Sequence, residues 1–157
     1  MITETCQYMT FKLGDELFAI NVAQVREVLE VPQITKVPTA PQYMKGVVNV
    51  RGQSIPVVDL RVRFGFPRKE NNLRTRVIFA TIHDRTVGLI VDSAREFKSI
   101  SGDRLRPIEE TLTGINDKYL TAVTKLGEKL VLILDLEAVL NVTDVQVPPA
   151  APADANA

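Results

Sequence analysis

The chain reads the same way twice, and that restricts its fold more than any single motif does. Sliding the first half forward by 69 residues brings Asp15 onto Asp84, Phe18 onto Val87, Ile20 onto Leu89, Val22 onto Val91, Arg26 onto Arg95 and Glu27 onto Glu96, without a gap. In the first copy, residues 8–13 and 16–22 flank Gly14 and Asp15 as a hairpin. Residues 25–31 then keep the alternation of a half-buried strand. In the second copy, residues 76–82 and 86–91 flank a turn at His83, Asp84 and Arg85. A polar connector containing proline follows each time, over 31–44 and again over 101–119. A second hairpin closes each copy, 45–64 in one and 122–134 in the other, and Asp59-Leu60 matches Asp135-Leu136 as a helix starter. A unit of about 70 residues has been duplicated.

Each unit supplies five short strands and a helical turn or two. Short antiparallel strands avoid exposed edges most simply by closing into a small barrel, and units this small gain stability by packing on one another. The expectation is an all-β protein of two five-stranded barrels, of SH3 or OB type, with short helices and a groove between them. Exchange of strands between the units stays open at this point. Residues 1–145 are read as one domain made of these two barrels. Residues 146–157 (QVPPAAPADANA) lack large apolar side chains and are expected to be disordered.

The hairpin at 45–64 (KGVVNVRGQSIPVVDLRVRF) carries the most specific chemistry. Val48 and Val50 lie on one face, with Asn49 and Arg51 on the other, and Arg51 arrives at the polar turn. A guanidinium held at a rigid turn is a fork for a partner's carboxylate or carbonyl groups; the plainer reading is a solvated turn residue. Pro56 has no N–H to give a ladder, which predicts an edge strand or a nitrogen facing solvent. Asp59 is placed to cap a short helix over 60–64.

Other chemistry is sparse. Lysine plus arginine (19) balance aspartate plus glutamate (19), so no global field draws the chain to nucleic acid or anionic lipid. The single cysteine, Cys6, has no internal disulfide partner, which suits a reducing cytoplasm. The N-terminus has no basic-then-apolar leader. No apolar run approaches the roughly 18–20 residues that span a bilayer. One histidine and one cysteine do not complete a usual zinc set. There is no glycine-rich phosphate loop, and His83 sits on a turn, where a general base is seldom built. Asp59, Asp92 and Asp135 are read as without pairing partners, the first and last being caps. No catalytic residue, metal or cofactor is expected. The basic stretch 61–76 holds Arg61, Arg63, Arg68, Lys69, Arg74 and Arg76 against Glu70, with Phe64 and Phe66 interleaved. It offers an alternative, an oligonucleotide-binding small barrel. A solvated loop over two core phenylalanines explains it too, and the zero net charge favours that.

GVVNVRGQSIPVVDLR resembles the central signature of the CheW-like proteins. The likeness extends to INVAQVREVLE, TVGLIVDSAREF, LRPIEE, KYLTAV and LVLILDLEAVL, covering residues 6–141 in order and spacing. It implies two duplicated barrels with intertwined strands. It also implies a non-catalytic cytoplasmic adaptor, recruited to membrane-associated arrays without inserting into the membrane and binding no nucleic acid. Such adaptors link the cytoplasmic tips of chemoreceptors to the histidine kinase CheA, whose regulatory domain shares the fold. The chain has no room for kinase catalytic domains or an appended receiver domain, so a stand-alone adaptor is the better match. By the same resemblance, Val25, Glu27, Met44 and Gly46 fall on the kinase-binding face, with Arg51 beside it and paired to Glu27. Val87 and Phe97 correspond to the receptor-binding groove. The plainer readings put Val25 and Val87 in the core and leave Phe97 half buried.

Overall fold

The structure is a computed structural model that describes residues 4–39, 44–67, 70–108 and 119–141. The expected tail at 146–157 lies outside them. Strands β1 (Thr5–Leu13) and β2 (Glu16–Asn21) form the first hairpin, and β3 (Val25–Glu30) follows a single 3-10 turn capped by Asn21. Strands β4 (Met44–Val50) and β5 (Gln53–Asp59) lead into α1 (Leu60–Arg63). The second copy supplies β6 (Arg76–Ile82), β7 (Arg85–Val91), β8 (Ser93–Ser101), β9 (Leu120–Leu126), β10 (Lys129–Leu134) and α2 (Leu136–Asn141). Asp59 caps α1 by accepting from the Arg61 N–H, and Asp135 accepts from the Ala138 N–H at the start of α2.

The ten strands of the described residues form two sheets, ordered β8-β1-β2-β10-β9 and β3-β6-β7-β5-β4. Replacing each strand by its counterpart in the other copy turns one order into the other. Neither sheet belongs to one copy. The first takes β1 and β2 from the first copy and β8 to β10 from the second, and the other sheet takes the remainder. Parallel pairing of β2 with β10 (Ala19 opposite Ile133) and of β7 with β5 (Gly88 opposite Val57) joins the copies. The exchange has a local cause. Only Val22–Gln24 separate β2 from β3, and only Asp92 separates β7 from β8. Asp92 alone is shorter than a two-residue hairpin turn, and the 3-10 turn at Val22–Gln24 likewise carries the chain on to the other sheet instead of reversing it.

Three cores follow. One face of the first sheet gathers Tyr8, Ala19, Ile100, Ala122, Val131 and Ile133, drawn from all five strands, so the sheet wraps round its own interior as a barrel (barrel A). Val48, Ile55, Val57, Val77, Phe79 and Ile90, with Leu29 packed against them, do the same for the second sheet (barrel B). The largest cluster lies between the barrels and includes Phe11, Phe18, Met44, Phe64, Val87, Tyr119 and Leu136. Phe18 stacks towards Phe11 and Phe64, with ring centroids 5.7 and 5.2 Å away.

The edge expectation for Pro56 is corrected. Its strand β5 lies inside its sheet, between β7 and β4. Val47, opposite Pro56, gives both its N–H and its C=O to Thr35 on the outer side, each at 2.8 Å. The Val47–Pro56 pair is therefore a non-hydrogen-bonded one, and the proline nitrogen faces β7, whose ladder with β5 begins one residue later at Val57. An interior proline is tolerated there because no donor is demanded of it.

Candidate functional site

The rim of barrel B is built by its two edge strands. At the β4–β5 turn Arg51 (φ 52°) and Gly52 (φ 80°) both take left-handed backbone, the mirror-image turn that suits the twist of a two-residue hairpin. That turn projects Arg51 from the β4 edge. A bulge between Val25 and Glu27 on the opposite edge, β3, turns Glu27 towards it. The Arg51 guanidinium grips the Glu27 carboxylate with both arms, Nη1 to Oε2 at 2.5 Å and Nη2 to Oε1 at 3.0 Å. Nearby, Arg26 Nη1 donates to Gln53 Oε1 (3.3 Å) and Thr86 Oγ1 (3.4 Å). These contacts close the seam where the edges meet. The Arg51 hydrogen bond holds the Glu27 carboxyl below its ordinary range, and Glu27 in turn raises Arg51. The arginine side chain is 67% exposed and the glutamate 20%, so the pair presents an oriented guanidinium at the surface.

The other sequence-predicted residues fall differently. Val25 is half buried beside Glu27 and packs on the central core. Met44 and Val87 are both buried in that core, so each shapes a surface from beneath and offers little to touch. Gly46 is buried with φ 146°, and a Cβ there would stand 2.0 Å from the Thr35 carbonyl oxygen. Its bareness lets the 31–39 segment reach Val47. Phe97, on β8, is 64% exposed, more open than the half-buried state expected of it. His83 lies on its turn 3.7 Å from Glu137, with both side chains mostly in solvent. Among the described residues, no group of three or more His, Cys, Asp or Glu comes together as metal ligands do.

One centre was not anticipated. Arg61 is 2% exposed, and its Nε and Nη2 bind Asp59 at 2.9 and 3.1 Å. Nη1 reaches Asp92 Oδ1 at 3.1 Å, and Nη2 also reaches Asn71 at 2.9 Å. Asp92 Oδ2 accepts from the Gly14 N–H at 2.6 Å. Burial works against the charge on Arg61, but Asp59 and Asp92 outweigh it and raise its pKa. The readings of Asp59 and Asp92 as unpaired are thus corrected. In the basic stretch, Arg68 and Lys69 lie outside the described residues, Arg61 is interior, and Arg63 lies over the Tyr119 ring, 4.8 Å from its centroid. The available signal was Asp-x-Arg at a helix start inside the apolar run VVDLRVRF.

Taken together, the fold is two interlocked barrels that carry an oriented charge pair and an exposed aromatic ring on their surface. The CheW-like domain profile matches residues 7–144. The chain is 32% identical over 135 residues to the chemotaxis protein CheW of Klebsiella aerogenes, covering 86% of this chain and 81% of that one. It is also 32% identical to CheW of Helicobacter pylori, covering 87% and 82%. The crystal structure of the scaffolding protein TtCheW from Thermoanaerobacter tengcongensis superposes with a TM-score of 0.83 at 30% identity, over 90% of this chain and 96% of that one. The chain belongs to the CheW-like domain family.

Proposed function

We propose that this protein is a chemotaxis adaptor that does no chemistry of its own and holds the histidine kinase CheA to the cytoplasmic tips of chemoreceptors. The family match and the scaffold neighbour do not support the oligonucleotide reading, and one of its six cations, Arg61, is interior. Family membership and the scaffold neighbour support the adaptor role, and the observation that carries the site is the bidentate Glu27–Arg51 pair at the rim of barrel B. In this reading the kinase's regulatory domain docks on that rim. Val25 contributes apolar area, Arg51 a directed donor fork, and Met44 and Gly46 the backbone shape beneath. The receptor's helical tip engages Phe97 in the groove between the barrels, with Val87 supporting the wall from inside. A receptor then biases the kinase only through contacts that differ between two arrangements of the assembly. Such a protein works in the cytoplasm; among the described residues no helix is long and apolar enough to cross a membrane.

The test is separate binding to a purified kinase regulatory domain and to a receptor signalling fragment. Arg51→Ala should lose kinase affinity by at least about tenfold, and Phe97→Ala should lose receptor affinity while keeping the kinase. Wild-type binding of both partners by both variants would overturn the assignment.

A further inference from the structure

The pseudo-symmetry of the barrels exposes a difference that duplication alone would not produce. Counting from the matched helix starters Asp59 and Asp135, Arg51 corresponds to Gly127 and Gln53 to Lys129. Hairpin register agrees, since Val50 pairs with Gln53 and Leu126 pairs with Lys129. Glu27 corresponds to Glu96. Barrel A therefore keeps the acceptor of the rim clamp and lacks the arginine that fills the space in barrel B. At that position, between the β9–β10 turn and strand β8, the structure holds a cleft of about 450 Å³. Four cations line it, Lys12, Lys98, Arg104 and Lys129, against two carboxylates, Asp15 and Glu96. Lys98 lies 3.7 Å from Glu96, and Arg104 Nη2 donates to the Lys125 carbonyl at 3.1 Å. Among the described residues Lys12 and Lys129 have no comparable partner in the cleft, and its described lining carries two more cations than carboxylates.

We propose that this open seam of barrel A is a docking cleft for an acidic, extended peptide segment of a partner protein. Several observations favour a peptide over other anions. The volume falls within the range of sites that enclose a few residues. The cleft runs beside the outer edge of β8, the terminal strand of its sheet, to which an extended chain can add, whereas the β9 edge is taken up by Arg106 at Val123 and by Arg104 at the Lys125 carbonyl. Among the described residues no aromatic side chain lines it, so bases find nothing there to stack on. The interspersed Asp15 and Glu96 oppose a continuous run of phosphates but accommodate a peptide whose acidic residues are spaced. The site lies on the opposite barrel from the Glu27–Arg51 rim and does not depend on the role proposed for that rim.

The probe is a short fluorescein-labelled peptide rich in Asp and Glu, followed by fluorescence anisotropy with the full chain. Saturable binding is expected, weakening severalfold from low to physiological salt. Joint reversal, Lys12→Glu with Lys129→Glu, should weaken it by about tenfold or more, while the melting curve stays unchanged because both side chains reach solvent. Gly127→Arg separates the cleft from diffuse attraction. Gly127 already has φ 64°, close to the 52° that Arg51 adopts, and nothing lies within 4 Å of a Cβ there. An arginine at that turn should pair with Glu96 and plug the cleft, so binding should fall although positive charge has been added. Unchanged or tighter binding by Gly127→Arg, or no saturable binding by the wild type, overturns the proposal. Tighter retention of a single-stranded oligonucleotide or of phosphatidylserine vesicles through the same lysines overturns the peptide assignment.

Discussion

Arg51 and Arg61 stand ten residues apart and obey opposite rules. Arg51 reaches Glu27 at the surface, where water and salt screen the attraction, so the pair orients a donor without adding much stability. Arg51→Ala should leave the melting curve close to wild type while the kinase contact is lost. The pair also sets a sign for pH. The folded pKa of Glu27 is lowered, so whatever stability the pair gives is present above the unfolded carboxylate range. It is lost as pH falls through the lowered folded value. NMR titration should place the Glu27 midpoint below that of a free glutamate, and Arg51→Ala should return it; an unchanged midpoint would mean the pair does not persist in solution. Arg61 is the reverse case. Its removal strands the 1%-exposed Asp59 as a buried charge, and Arg61→Ala should cost about 3–5 kcal/mol in urea unfolding. A loss under about 1 kcal/mol would show that the cluster holds little together. The Glu27–Arg51 partnership was legible through family resemblance, because its members are 24 residues apart. The Arg61 centre was not, since a string of arginines looks solvated until the fold buries one of them.

At the scale of single strands, alternation located nearly every element, and the turns followed from residue chemistry. The partners of the outer edges did not. Thr35 bridges Val47 outside β4 and Arg106 bridges Val123 outside β9, joining segments that sequence reasoning treated as plain connectors. Gly46 makes the first bridge possible, so Gly46→Ala should force Thr35 away and destabilise by more than about 1 kcal/mol. Wild-type melting in that variant would mean the segment gives way at no cost. The second copy carries a flaw at the matching depth. Thr124 shares the inward face of Ala122 and Leu126, is 2% exposed, and its hydroxyl has no hydrogen-bond partner among the described residues. Its counterpart in barrel B is Val48, in an apolar interior. Thr124→Val should therefore stabilise by about 1 kcal/mol, because an unsatisfied buried hydroxyl is replaced by a methyl of like shape. A lower denaturation midpoint would show that the hydroxyl is satisfied in solution.

For the whole molecule, the repeat disclosed two equivalent sets of five strands but not which copy pairs with which. Identical patterns leave pairing within a copy and pairing between copies equally satisfied. The structure resolves this by the links after β2 and β7, which carry the chain from one sheet to the other, and by Asp92. That residue lies on the second crossing and ties Gly14 of the β1–β2 turn to Arg61 of α1. The consequence is mechanical. Neither barrel is a contiguous piece of chain, and the central core draws on both, so the two barrels should unfold in one cooperative transition with coincident probes. Cutting the chain between residues 65 and 75 tests this, because the cut divides the copies and not the barrels. Each fragment would then hold two strands of one sheet and three of the other, with the parallel ladders β2–β10 and β5–β7 severed from their partners. Alone, each fragment leaves its apolar faces uncovered and should be largely unfolded by circular dichroism. Mixed, the two should assemble with one-to-one stoichiometry and recover the spectrum and single melting transition of the intact chain. If either fragment alone folded into a cooperatively melting barrel, each copy could satisfy its own pairing, and the exchange would not be what holds the two proposed docking faces in fixed relation.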